Sequence, residues 1–204
     1  MSRSLVSPVL LVGALTLGAC ARQSPGAQAP TAIAPASARV ATSDAPIAHS
    51  HVEAAQRAWC DALLSISKAA TTGHARDRAA EVLSTAYNYD RGAVLFKPTL
   101  THGTQTFRFD ERGALAYFVG GDPAYPDDKG FALKPWATCQ PTVASVVQHG
   151  EMAVAMGNVV LTDTSGKETK VDKTFGYVRG ADGALRIVVH HSSLPYTHMI
   201  GMIR

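Results

Sequence analysis

Charged residues and cysteines are scarce in this sequence. Asp, Glu, Lys and Arg make up 17% of its 204 residues, the formal net charge is +3, and there are three cysteines. The charged residues are scattered along the chain, whereas nucleic-acid-binding proteins concentrate basic residues in a patch or stripe. We therefore expect no nucleic-acid partner.

Sequence motifs that mark several enzyme classes are also missing. The chain has no GxSxG turn, which many serine hydrolases use to expose their nucleophile, and no glycine-rich phosphate loop that opens a helix. It also lacks the CxxC and HExxH patterns of many zinc sites. These absences argue against acyl transfer by a serine nucleophile, phosphate binding by a glycine-rich loop and a zinc-protease mechanism.

A short apolar run near the N-terminus is typical of an export signal. Arg3 precedes the run, which covers residues 9–17, and the sequence LGAC that ends at Cys20 fits a lipobox. We predict a lipoprotein signal peptide over residues 1–19 with Cys20 acylated, and ordinary signal cleavage is the alternative. The run is shorter than the roughly 20 residues of a membrane-spanning helix. The chain is therefore expected on the periplasmic side, held to the membrane only by its lipid.

Composition divides the rest of the chain into a linker and a domain. Residues 20–48 are rich in Ala and Pro and have almost no large apolar side chain. Such a segment cannot bury enough apolar surface to offset the entropy of ordering it, so we predict a disordered linker. Residues 49–204 have the usual length of one domain with its own core.

The two cysteines of this domain allow a disulfide. If Cys20 is acylated, Cys60 and Cys139 remain as an even pair in an oxidising compartment. A bond between them would close a loop of about 80 residues and constrain the unfolded chain. Two separately buried thiols fit the sequence equally well.

Hydrophobic periodicity predicts an α+β domain. Apolar residues at three- and four-residue spacing predict helices over residues 50–70 and 76–87. Residues 114–119 are predicted to be extended or helical. Apolar and alternating segments separated by turn residues predict strands over residues 93–96, 142–148, 152–162, 169–179 and 185–193. We expect the N-terminal helices to pack on one face of a curved antiparallel sheet.

The motif HHSSLP, which ends the last predicted strand, contains more proton-handling groups than any other segment. Side chains alternate between the two faces of a strand. Counting from Leu185, alternation places His191 and Ser193 on the apolar face, and His190 and Ser192 on the opposite face. We therefore predict that His191 and Ser193 face a pocket.

Histidine is the commonest metal ligand, so a zinc site built on His190 and His191, with His198 or His149, is an alternative interpretation. Neighbouring histidines of one strand point in opposite directions, which disfavours it.

Two further hydroxyl groups lie at positions where the backbone is well defined. Thr99 follows the predicted strand over residues 93–96, directly after Pro98. Tyr117 lies in an apolar run, where its hydroxyl needs a hydrogen-bond partner. A tyrosine that merely satisfies its hydroxyl in the core is the alternative.

Four segments together resemble the iota-class carbonic anhydrases. They are YDRGAVLFKPT (residues 89–99), GALAYFVGG (113–121), AMGNVVLTDTSGKETKVDKTFGYVR (155–179) and HHSSLP (190–195). That family is related to the SnoaL-like and calcium/calmodulin-dependent kinase II association domains of the nuclear transport factor 2-like superfamily. The resemblance extends from about residue 52 to residue 196.

The resemblance implies a cone-shaped, cystatin-like α+β fold with an internal pocket, a homodimer, and reversible hydration of carbon dioxide to bicarbonate and a proton. It implies a site without metal, although zinc or manganese is the alternative cofactor. Thr99, Tyr117 and a serine of HHSS occupy the implied catalytic positions. Ser193 is favoured by alternation, with His191 moving the proton, while Ser192 and His190 would contribute to substrate binding.

Two other functions remain open from the sequence. One is a different small-molecule lyase or isomerase on the same fold, which would need a general base deep in the pocket. The other is a non-catalytic ligand-binding or assembly module. Only a carbonic anhydrase would lose turnover of carbon dioxide when Thr99, Tyr117 or the strand-end serine is replaced.

Overall fold

The computed structural model describes residues 46–197. The predicted signal peptide, the acylation site at Cys20, most of the predicted linker and His198 lie outside the described residues. Ile47 is already buried in the core, two residues before the predicted start of the domain. None of the helices within residues 46–197 is long and apolar enough to cross a membrane.

The described chain contains three α-helices, α1 (His49–Ala70), α2 (Ala75–Ala86) and α3 (Glu111–Val119). The first two match the predicted helices to within one residue at each end. The third lies in the segment predicted to be extended or helical, and it begins where the Asp110 carboxylate accepts a hydrogen bond from the Gly113 amide at 2.7 Å. This is a typical helix N-cap, and it fixes where the chain turns into α3.

Five strands form one curved sheet with the strand order β1-β5-β4-β3-β2. They are β1 (Leu95–Lys97), β2 (Trp136–His149), β3 (Met152–Asp163), β4 (Glu168–Arg179) and β5 (Leu185–Ser193). The meander β2–β5 is antiparallel, as predicted. At the other edge β1 runs parallel to β5, which the sequence did not indicate. Tight turns force antiparallel pairing only between successive strands, and the long connection after β1 allows a parallel pair.

The core lies between the helices and one face of the sheet. The helix α1 contributes Trp59, Leu63 and Ile66 at the three- and four-residue spacing that predicted it. The sheet contributes small and apolar residues that alternate along its strands, namely Ala153, Ala155, Val159, Leu161, Val171 and Phe175. Burying one large apolar side chain stabilises a fold by about 1.5–3 kcal/mol, so this face fixes α1 against the sheet.

A β-bulge in β5 reverses the orientation of the HHSS residues. Gly176 pairs with Val189 and Tyr177 pairs with Ile187, so Val188 has no partner on β4. A bulge shifts the alternation by one residue. Consequently His190 and Ser192 point into the core, each 1% exposed, whereas His191 is exposed and Ser193 is half-buried. The predicted inward orientation of His191 and Ser193 is therefore wrong, because it assumed an uninterrupted strand.

The structure contains a disulfide, which the sequence analysis left as one of two alternatives. Cys60 on α1 is bonded to Cys139 on β2, 79 positions further along the sequence, with a Cα–Cα distance of 5.3 Å. The bond links the longest helix to the β2 edge of the sheet. The closed loop contains α2, β1 and α3, so it constrains the whole N-terminal half of the domain.

Candidate active site

Three hydroxyl groups from distant parts of the chain meet at the ends of β1 and β5. Thr99 lies just after β1, Tyr117 lies on α3 and Ser192 lies on β5. The parallel pairing brings Lys97 beside His191, so the residues that follow β1 reach the end of β5. The Thr99 Oγ1 and Ser192 Oγ atoms are 2.6 Å apart, which is a short hydrogen bond between hydroxyls.

The third hydroxyl, that of Tyr117, is buried and has no hydrogen-bond partner among the described residues. Burial raises the pKa of Tyr117, and the nearby Thr99 side chain and the backbone of Thr99 and Leu100 only partly oppose this shift. The phenol therefore stays protonated at neutral pH. A buried hydroxyl without a partner is costly, so this O–H group is available as a donor to a bound molecule.

The hydroxyl cluster lies where two cavities adjoin. An open cavity of about 410 Å³ is lined by Thr99, Tyr117, Phe131 and residues of the loop that follows α3. A smaller inner recess, which is packed too tightly to hold a water molecule, shares those three residues. Its other walls include the aromatic side chains of Phe96 and Phe118. Mostly apolar walls with a few convergent polar groups are typical of a small-molecule site.

A loop held by buried charges forms one side of the open cavity. The Arg108 guanidinium donates to both carboxylate oxygens of Asp128, at 3.2 and 3.1 Å, and the two side chains are 2% and 6% exposed. Asp128 and the following Lys129 and Gly130 line the cavity. The loop that follows α3 therefore forms part of the cavity wall.

Behind the hydroxyls, a hydrogen-bonded chain of side chains crosses the core. Trp59 Nε1 donates to the Tyr87 hydroxyl at 3.0 Å, and that hydroxyl lies 2.9 Å from His190 Nδ1. The other ring nitrogen, His190 Nε2, lies 2.9 Å from Lys173 Nζ. Rings of Phe96 and Phe175 stack on either side of His190, each with centroids 4.6 Å away. Both ring nitrogens are thus occupied, and His190 is held rigidly.

Burial shifts the pKa values of the side chains in this hydrogen-bonded series. It lowers the pKa of His190 well below the usual 6.5, with smaller contributions from Lys173 and His191. It lowers the pKa of Lys173 to about 7, and it raises the pKa of Tyr87. His190 is therefore a neutral imidazole at neutral pH, and Lys173 is close to half-protonated there.

The structure brings together some of the residues predicted from the sequence and separates others. Thr99, Tyr117, Ser192 and His190 line the inner recess. His191 and Ser193 line a groove on the opposite face of the sheet, so the structure does not place either of them at the recess. The described residues contain no group of three or more His, Cys, Asp or Glu side chains that could hold a metal ion.

Lys173 is a residue of this site that the sequence analysis missed. Its strand alternates Val171, Lys173 and Phe175 on the buried face, and Lys173 is only 4% exposed. A lysine at an inward position between two apolar residues was a visible signal, since buried lysines are rare unless they have a partner.

Comparisons with known proteins place the chain in a family. The profile of the metal-independent carbonic anhydrases matches residues 50–194. A metal-independent carbonic anhydrase from Nostoc sp. strain PCC 7120 is 49% identical over 156 residues, which cover 74% of this chain and 75% of the relative. A crystal structure of a cyanobacterial iota-carbonic anhydrase complexed with bicarbonate is 47% identical, with a TM-score of 0.73 over 75% of this chain and 95% of that one.

The profile match includes the three segments that supply the hydroxyls. These comparisons favour the carbonic anhydrase interpretation over the other small-molecule enzymes and the non-catalytic module that the sequence left open. The chain belongs to the metal-independent carbonic anhydrases of the iota class, lyases that catalyse the reversible hydration of carbon dioxide to bicarbonate and a proton.

Proposed function

We propose that hydration takes place at the cluster of Thr99, Tyr117 and Ser192, between the open cavity and the inner recess. The observation that carries this proposal is the convergence of three hydroxyls from three distant parts of the chain beside aromatic side chains. The similar iota-carbonic anhydrase structure contains bicarbonate, which supports a site for that anion on this fold.

Each part of the site suits one part of the reaction. Carbon dioxide is apolar, and Leu100, Phe131 and Trp136 give the open cavity an apolar wall for it. The Thr99 and Ser192 pair uses one hydroxyl hydrogen in its own hydrogen bond, so one hydrogen and several lone pairs remain to orient a water molecule. Holding the two reactants in the attacking geometry removes much of the entropic barrier.

The Tyr117 hydroxyl is suited to stabilise negative charge. As the water oxygen attacks the carbon atom, charge develops on the oxygens of carbon dioxide. Donors that already point at that position stabilise the transition state without reorganising. Tyr117 has such a free donor, and its raised pKa keeps the donor protonated throughout the reaction.

The Tyr117→Phe variant tests this role. We expect kcat/KM for hydration, measured by stopped flow with a pH indicator, to fall about 10- to 100-fold, the cost of one hydrogen bond to a charged group. The free energy of unfolding should not fall, because the lost hydroxyl has no partner in the described structure. Tyr89→Phe is the matched control, since the Tyr89 hydroxyl donates to the Arg108 carbonyl away from the cluster. Unchanged activity in Tyr117→Phe would contradict the proposal.

We further propose that the protein is exported and held to the membrane by a lipid on Cys20. The lipobox-like sequence before Cys20 supports this, and so does the disulfide, because such bonds persist in oxidising compartments. Detergent-phase partitioning of the full-length protein and of Cys20→Ser is the direct measurement. Loss of partitioning in the variant is expected, and equal partitioning would contradict the anchor.

A homodimer, implied by the family resemblance, is also a proposal. The face of the sheet that the helices leave uncovered carries exposed apolar side chains on β2 and β3, with Val147 67% and Met156 61% exposed. Such a face is a plausible contact for a second copy of the chain. Light scattering on the purified protein measures the mass directly, and a monomer at all concentrations would contradict this proposal.

A further inference from the structure

Lys173 is buried beside the hydroxyl cluster. It pairs with Ser192 across β4 and β5, and the side chains of such opposed residues lie on the same face of the sheet. Both residues line the inner recess together with Thr99 and Tyr117. No carboxylate forms a salt bridge with Lys173 within residues 46–197. Its Nζ atom lies 4.4 Å from the centre of the Trp59 ring, and its side-chain hydrogen-bonding partner in the described part of the chain is His190.

The hydrogen-bond chain indicates which form of Lys173 fits the core. Trp59 can only donate, so the Tyr87 hydroxyl hydrogen needs another acceptor, and His190 Nδ1 is the atom in contact. A neutral imidazole that accepts at Nδ1 carries its hydrogen on Nε2. That hydrogen points to Lys173 Nζ at 2.9 Å, and only an uncharged amine has the lone pair to accept it. The chain from Trp59 to Lys173 is therefore satisfied when Lys173 is neutral.

The other groups around the recess are poor proton acceptors at neutral pH. The titratable side chains packed around Lys173 are His190 from β5, Tyr87 from the end of α2 and Tyr117 from α3, while α1 contributes the indole of Trp59. Burial keeps both phenols protonated, and it makes His190 a weak base. Hydroxyls of Thr99 and Ser192 can relay a proton but cannot retain one. A base matched to neutral pH is what general-base catalysis requires.

We propose that Lys173 is the proton acceptor of the hydration step, taking up the proton that water releases at the hydroxyl cluster. This rests on the proposed site at Thr99, Tyr117 and Ser192. The water oxygen forms a bond to the carbon of carbon dioxide, one O–H bond of that water breaks, and the products are bicarbonate and the Lys173 ammonium. The proton reaches Nζ through the hydroxyl of Ser192, the residue opposite Lys173 on the neighbouring strand, which passes on one proton as it receives another.

The ammonium that the step creates loses the hydrogen bond from His190 Nε2, but an aromatic ring partly compensates its charge. The Trp59 ring face stabilises an ammonium at this distance. Burial disfavours that charge, so the proton is released again once bicarbonate leaves. In the dehydration direction the same ammonium supplies the proton that converts the leaving hydroxyl of bicarbonate into water.

Two replacements separate proton transfer from a simple effect of charge. Lys173→Met removes the amine, and Lys173→Arg keeps a cation that cannot release its proton. We expect kcat/KM to fall at least about 100-fold in both, as is typical when a general base is lost. Lys170→Met, on an exposed position of the same strand, should keep wild-type activity. Full activity in Lys173→Met, or in a folded Lys173→Arg, would overturn the proposal.

The pH dependence gives a readout that a structural role would not move. In the wild type, hydration should increase as pH rises through about 7, where Lys173 loses its proton. The residual activity of Lys173→Met should lack this inflection. If the variants do not fold, NMR titration of the lysine ¹³Cε and ¹⁵Nζ signals of the wild-type protein tests the proposal instead. A buried lysine signal that titrates near pH 7 is expected, and titration of every lysine near its ordinary value of about 10.4 would overturn the proposal.

The results also distinguish the two proposals. If Thr99→Val, Tyr117→Phe and Ser192→Ala lose activity while Lys173→Met retains it, the hydroxyl site stands and the role of Lys173 is wrong. If all three hydroxyl variants retain activity, the site itself is wrong.

Discussion

Ser192→Ala should lower kcat/KM for carbon dioxide hydration by about 10²- to 10³-fold, the usual effect of removing one preorganised donor in an active site. Ser192 holds the Thr99 hydroxyl at 2.6 Å, so the change removes one group of the cluster and releases another. The adjacent Ser193→Ala should leave activity within about twofold of the wild type, since Ser193 lies on the other face of the sheet.

This pair of variants is a sharp test because the two changes are chemically identical and adjacent in sequence. Stopped-flow hydration on both proteins, with unfolding midpoints measured in parallel, separates catalysis from stability. If Ser193→Ala is the inactive member of the pair, the bulge at Val188 does not exist in solution and the strand alternates without interruption. Wild-type activity in both variants would exclude both serines from the reaction.

Asp128→Asn should lower the free energy of unfolding by about 3–5 kcal/mol, the range for breaking a buried ion pair by removing one charge. The change leaves the Arg108 guanidinium buried without a counter-charge, and Arg108 Nε already has no partner among the described residues. Asp128 lines the open cavity, so KM should rise as well when the loop loses its anchor.

Urea unfolding measures this effect, and Asp127→Asn is the matched control. Asp127 is exposed and also lines the cavity, so its replacement should change stability by no more than about 0.5 kcal/mol. Replacing both Arg108 and Asp128 with apolar residues of similar volume should recover much of the loss, because no charge is then left buried. A loss below about 1 kcal/mol in Asp128→Asn would contradict the structure of this loop.

The sequence was a good guide where one physical pattern dominates. The spacing of Trp59, Leu63 and Ile66 predicted α1 because a long amphipathic helix repeats its buried face every three to four residues. The boundaries between the meander strands were also predicted correctly, because the turns contain Gly150, Gly166 and Gly183, whose positive φ favours glycine.

Prediction failed where one unpaired residue changes the pattern. Alternation along β5 was counted correctly as far as Ile187, and the bulge at Val188 then exchanged the two faces. Gly176, on the partner strand, hints at this bulge because a Cβ atom there would lie 2.9 Å from the Cβ and Cγ2 atoms of Val189. This crowding depends on the paired strand, so it could not be predicted from β5 alone.

The residues of the hydroxyl cluster were predicted from the family resemblance and not from periodicity. Nothing in the spacing of Thr99, Tyr117 and Ser192 shows that they meet, because the parallel pair β1–β5 that joins them is a long-range contact. Lys173 was missed by both routes. Its unusual protonation depends on burial on all sides, and burial is a property of the assembled domain.

The parallel contact between β1 and β5 also bears on when the active site forms during folding. Thr99 and Ser192 are 93 residues apart in sequence, whereas the meander β2–β5 is built from hairpins between neighbouring strands. Local pairings form quickly, and contacts that close long loops form slowly. During refolding, sheet content should therefore return before turnover does. Catalytic competence would be the last property that the chain acquires.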